Sequence, residues 1–139
     1  MIRTRFFGAL CFFVFASTFH FAVAEPSCSA QLYRGEAPRI SNAKLAAQTY
    51  PLCFSEIALL YSGVARTPLW SAERLTAERV RQARALPRLR ANAFHEEPTL
   101  PVQDRAGLGD YRRSGFDRGH MAPNGDMSTP QAQEESFSL

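Results

Sequence analysis

The sequence predicts one α+β domain, an antiparallel sheet with flanking helices. Three observations lead there. Two apolar runs separated by a Ser-Gly turn are followed by a single helical pattern and then by a further extended segment. No internal repeat or low-complexity tract interrupts that order. The 115 residues from Glu25 to Leu139 are enough for one small domain with a single core.

Each element has a local reason. Residues 27–48 carry Gly35 and Pro38 and read as irregular, with a short helix over Asn42 to Ala47. Leu52 to Tyr61 (LCFSEIALLY) has the length and apolarity of a buried strand, although Ala58-Leu59-Leu60 alone fits a helix equally well. Ser62-Gly63 is a turn, and Val64 to Trp70 returns as a second strand that Pro68 confines to an edge or a bulge. Thr76 to Leu86 is a helix: Thr76 is its N-cap, Ala77, Val80 and Ala83 form an apolar stripe, and Pro87 stops it. Ala91 to Leu108 is a polar connection containing Pro98 and Pro101. Tyr111 to His120 then forms the central strand, Met121 to Pro130 a loop, and Ser136 to Leu139 the opening of another strand. Trp70, Met121 and Met127 are core.

The chemistry concentrates in Asp117-Arg118-Gly119-His120. On a strand, residues two apart share a face, so Arg118 and His120 converge while Asp117 points away and supports the strand or orients a neighbour. Hydrolysis of a phosphodiester needs such a pair, a base to take a proton from water and a fixed cation facing the phosphate oxygens. Imidazole changes charge between about pH 5 and 8, so it can accept a proton at ordinary pH. For Arg118 the alternative role is a salt bridge with Asp117 or Asp126. Gly119 allows backbone or substrate to approach closely. The other histidine beyond residue 24, His95, has no motif around it and reads as a surface residue.

The run Gly115-Phe116-Asp117-Arg118-Gly119-His120-Met121-Ala122-Pro123 resembles the signature of the DNA/RNA non-specific endonucleases, metal-dependent enzymes of the ββα-metal (His-Me finger) class. The likeness extends through Leu108-Gly109-Asp110-Tyr111, Leu52-Cys53-Phe54-Ser55-Glu56 and Arg66-Thr67-Pro68-Leu69-Trp70-Ser71-Ala72-Glu73, and so covers most of the chain from Leu52 onward. The resemblance implies a ββα-metal site built around His120 as general base, with Arg118 stabilising charge on the phosphate. Arg66 stands where a second arginine of the family site falls. It also implies one divalent ion, usually Mg²⁺, on a phosphate oxygen and the leaving 3′ oxygen, and a substrate of DNA and RNA cut to 5′-phosphorylated ends. The family's metal-binding asparagine lies on a helix after the next strand, and Asn124 follows His120 too soon to be that residue. The chain stops 19 residues after His120, so it reads as the N-terminal portion of an incomplete ββα-metal fold, with no metal ligand of its own and little activity expected.

The first 24 residues read as a leader. Arg3 and Arg5 form a basic start, Phe6 to Ala16 is an apolar stretch of 11 residues, and Ala22-Val23-Ala24 offers a small-x-small cleavage site before Glu25. A membrane helix needs roughly 20 apolar residues, and Ser17, Thr18 and His20 break this stretch early. A retained anchor is the alternative. Export to the periplasm or the medium is the expectation, leaving 25–139 as the domain, with no membrane association.

Beyond the leader, 14 basic residues face 13 acidic ones, and all the basic ones except Lys44 are arginines. Overall charge therefore does not argue for nucleic-acid binding, and any electrostatic footprint must be local. Six arginines against Glu78 between Arg74 and Arg90 form either a solvated helix face or a phosphate-contacting patch. Cys28 and Cys53 are expected to pair in an exported protein, stabilising the fold by about 3.5 kcal/mol through loop closure; two free thiols are the alternative. Two further functions stay open. One is a fragment that binds nucleic acid without cutting it. The other is a non-catalytic exported domain in which the motif is a relic.

Overall fold

A computed structural model describes residues 28–88 and 93–139; the leader-like segment and Arg90 lie outside them. Its architecture is α+β, with a three-stranded antiparallel sheet in the order β1-β2-β3. Strand β1 is Thr49–Cys53, β2 is Ile57–Ser62 and β3 is Thr67–Glu73. The segment Leu52 to Tyr61, expected as one strand, is a hairpin. The chain reverses at residues 54–56, where the Phe54 amide donates to the Ile57 carbonyl at 2.9 Å. Glu56 makes that reversal worthwhile. Its buried carboxylate accepts the Ser128 amide at 2.8 Å and the Ser128 hydroxyl, tying the hairpin to the loop after His120.

Pro51 and Pro68 both sit on edge strands, where a missing N–H costs no central ladder bond. Pro68 is also at a bulge, since Leu60 pairs with Trp70 while Tyr61 pairs with Pro68. Central β2 is buried along most of its length. Its Ile57, Leu59 and Tyr61 pack with Leu100, Met121 and Met127. A second apolar cluster joins Phe94, Ala106, Phe137 and Leu139. Met121 and Met127 are core as expected, whereas Trp70 is only half-buried.

Three helices begin with side-chain caps. Helix α1 (Ala43–Ala46) is capped by Asn42 and α2 (Ala77–Ala85) by Thr76, close to the expected bounds. Helix α3 (Pro130–Glu135) lies where the sequence suggested only the end of a loop. Thr129 accepts from the Ala132 amide at 3.1 Å and Pro130 occupies the first turn, a start signal in which proline loses nothing. Most of the arginines of α2 are exposed; Arg81 pairs with Glu78, and Arg79 donates to the Arg74 carbonyl. Cys28 and Cys53 form a disulfide with Cα atoms 5.5 Å apart, fastening the N-terminal arm to β1.

Tyr111 to His120 is not the central strand. Successive turns run through it, with the Arg112 amide donating to Gly109 and Ser114 to Tyr111. Arg113 and Gly115 have φ of 58° and 85°, in the left-handed region that a strand excludes. The central position belongs to β2. The strand expected to open at Ser136 is reduced to a single parallel bridge between His95 and Ser138, because Ser136 keeps helical backbone angles (φ −66°, ψ −17°) and its amide donates to Ala132. That bridge corrects the reading of His95: it is half-buried, its amide donates to Phe137 and its carbonyl accepts from Leu139.

Candidate functional site

His120 is positioned by residues far from it in sequence. Its ring centroid lies 4.3 Å from that of Phe137 and 4.9 Å from that of Phe94, both in tilted or edge-on contact. Its Nδ1 is 3.3 Å from the Ser136 carbonyl oxygen. A carbonyl only accepts, so this pairing puts the hydrogen on Nδ1. The neutral ring is then left with its lone pair on Nε2. The two aromatic rings restrict rotation, and the edge of the imidazole remains accessible.

That ring lines an open cleft of about 550 Å³ together with Arg66, Tyr111, Phe116, Asp117 and Gly119. Asp117 thus borders the same cleft as His120, with no strand alternation relating the two. Among the described residues no hydrogen bond or ion pair engages Asp117. Gly119 is not a place of close backbone approach: a Cβ there would meet no protein atom within 4 Å.

Arg66 adopts a φ of 52° at the turn into β3. Its guanidinium is held at both ends, by Asp110 Oδ2 at 3.1 Å and the Gln103 carbonyl at 3.0 Å. The same Asp110 oxygen accepts the Gly107 amide at 2.9 Å, so the turn fixes the carboxylate that fixes the arginine. Arg118 lines an adjoining groove with Leu108, Arg112 and Asp117. Its guanidinium carbon lies 5.4 Å from the centre of the Phe94 ring. Arg118 and His120 thus share contact with one phenylalanine rather than one strand face. The alternative salt bridges to Asp117 or Asp126 are absent among the described residues.

Metal-binding capacity is limited. Among the described residues no group of three or more histidine, cysteine, aspartate or glutamate side chains could hold a metal ion. The buried Asn124 amide donates to the Gln133 carbonyl at 3.0 Å and to Ser136 Oγ at 3.2 Å, a structural use. Among the described residues, these side chains do not form a site for a divalent ion. One acid has an unusual environment: burial, then the negative charges of Asp126 and Glu56, hold Glu73 above the ordinary carboxylate range.

Comparison with known proteins agrees with the motif. The family model for DNA/RNA non-specific endonucleases matches residues 37–139. The chain belongs to that family. It is 41% identical over 75 residues to Nuclease C1 of Cunninghamella echinulata var. echinulata, covering 53% of this chain and 29% of that protein. It is 31% identical over 115 residues to mitochondrial Endonuclease G of Caenorhabditis elegans, covering 82% and 34%. A nuclease of Nostoc sp. is 31% identical over 104 residues, covering 74% and 36%. The chain thus spans about a third of the length of these relatives.

Sequence reasoning missed the supports of the site. Phe94, Ser136 and Phe137 hold His120, and Asp110 holds Arg66. Phe94 and Phe137 carried only the general signal of an aromatic residue in a polar stretch. Asp110 was visible within the family-like run but had no role attached to it.

Proposed function

We propose that the protein is an exported endonuclease that hydrolyses phosphodiester bonds of DNA and RNA without sequence specificity, with His120 as its general base. The observation that carries this reading is the imidazole itself, with Nδ1 on the Ser136 carbonyl and its free edge in a cleft shared with a clamped arginine. Water attacks phosphorus as its proton passes to His120 Nε2, and the bond from phosphorus to the 3′ oxygen breaks. The leaving oxygen takes a proton from solvent, so the products carry a 5′ phosphate and a 3′ hydroxyl. Such a base contributes roughly 10²–10⁴ in rate. Arg66 and Arg118 face the charge that builds on the phosphate oxygens, and Asp117 helps orient what enters the cleft. Contacts to phosphate carry no sequence information, which suits a non-specific enzyme. Mg²⁺ is the ion implied by the family.

Export is supported by the leader-like start and by the Cys28–Cys53 bond, since disulfides persist in oxidising compartments. Several relatives are named as mitochondrial nucleases, which describes those proteins. Fractionation of cells expressing the chain, with N-terminal sequencing of the product, tests this: an extracytoplasmic protein starting at Glu25 is expected.

Binding without cleavage is the second reading, and the lack of a metal-holding cluster among the described residues favours it. One experiment separates the two. The protein is incubated with plasmid DNA and with RNA in Mg²⁺, beside His120→Ala. Weak cleavage of both by the parent, lost in the variant with the fold intact, is expected. Retarded mobility without cutting in any divalent ion would establish the second reading instead.

A further inference from the structure

Phe116 is the most exposed aromatic residue near the cleft, at 78%. Leaving a phenylalanine in water forgoes its burial energy, and the local structure holds it there. Gly115 takes a φ of 85° just before it, a conformation suited to glycine. The Ser114 hydroxyl accepts the Phe116 amide at 3.1 Å and donates to the Tyr111 carbonyl at 3.0 Å. The residue borders both grooves, that of His120 and that of Arg112 and Arg118. Among the described residues neither Arg112, Arg113 nor Arg118 forms an ion pair with a carboxylate. An exposed ring between two grooves, flanked by uncompensated guanidinium groups, matches a polyanion that carries flat apolar faces between its charges.

We propose that Phe116 is a stacking platform for a nucleobase, and that it makes this site favour unpaired nucleic acid. The inference rests on the nucleic-acid reading above and adds the substrate form. Every base has a π-face, so stacking strengthens binding without reading sequence. Bases inside a duplex are already stacked on their neighbours and present no free face to the ring. The arginines supply phosphate contacts on either side of the stacked base.

The test is an anisotropy titration of the full chain in EDTA, where no metal-dependent cutting occurs. Three labelled probes of equal length are compared: an oligothymidylate, an abasic deoxyribose-phosphate oligomer and a duplex. The parent should bind thymidylate about 5- to 150-fold more tightly than the abasic chain, the range expected for one stacked base, and the duplex little better than the abasic chain. Phe116→Ala and Phe116→Leu should erase the thymidylate preference while leaving abasic affinity within about twofold, and Phe116→Trp should keep it. A preference that survives Phe116→Ala and Phe116→Leu, or a parent without one, overturns the stacking role alone. Failure of the parent to bind any of the probes overturns the nucleic-acid reading with it.

Discussion

The Nδ1 of His120 and the carbonyl of Ser136 lie 3.3 Å apart, and the same carbonyl accepts the Met121 amide at 3.3 Å. One peptide unit near the end of the chain therefore aligns both the imidazole and the backbone that follows it. Removing the base, in His120→Ala, should lower turnover by about two to four orders of magnitude with an unchanged circular dichroism spectrum. Full activity in that variant would remove His120 from the mechanism.

Phe137 is 2% exposed and is the nearer of the two rings against His120. Phe137→Ala should destabilise the fold by about 3–5 kcal/mol in a urea titration. Phe137→Leu better preserves side-chain volume, so its stability cost should stay below about 1.5 kcal/mol. Its kcat should nevertheless drop, because the imidazole loses its edge contact. Unaltered kcat in the leucine variant would confine Phe137 to packing.

The Arg66–Asp110 pair is half exposed, so its direct worth to stability is small, about 0–1 kcal/mol. Its effect should appear in function instead. Asp110→Asn should leave Tm nearly unchanged while reducing kcat, through a less fixed Arg66. Arg118→Ala should cost about 10²–10³ in kcat if that cation faces the developing charge. Equal loss in kcat and Tm for Asp110→Asn would make the pair purely structural.

Glu73 provides a pH test. Its folded pKa is raised by burial and by Asp126 and Glu56, so the folded state holds the proton more tightly than the unfolded one. The ionised carboxylate costs stability near neutral pH, and that cost is relieved as pH falls through the folded pKa. Glu73→Gln should therefore raise Tm at pH 7, and the gain should fade toward about pH 4, where an ordinary carboxylate is itself protonated. A gain independent of pH would locate the effect in packing.

The Cys28–Cys53 bond closes a 25-residue separation. Replacing both cysteines with serine should cost about 3.5 kcal/mol of unfolding free energy. Non-reduced peptide mapping should recover the linked pair, and two free thiols would refute it.

The sequence by itself determined those features whose cause is local. Thr76 and Pro87 bounded the α2 helix, Pro68 announced an edge and a bulge, and the run around Asp117 to His120 named the family. Tertiary structure decided the rest. The left-handed backbone at Arg113 and Gly115 turned an apparent strand into a loop, and Asp117 borders the same cleft as His120. Thr129-Pro130 was a readable helix start, but six residues are too short to show a period. The supports of His120 come from residues 94, 136 and 137, and that of Arg66 from residue 110. Such contacts between chain segments leave no spacing pattern in a single sequence. Side-chain chemistry was written in the motif; the orientation that makes the chemistry usable came from packing.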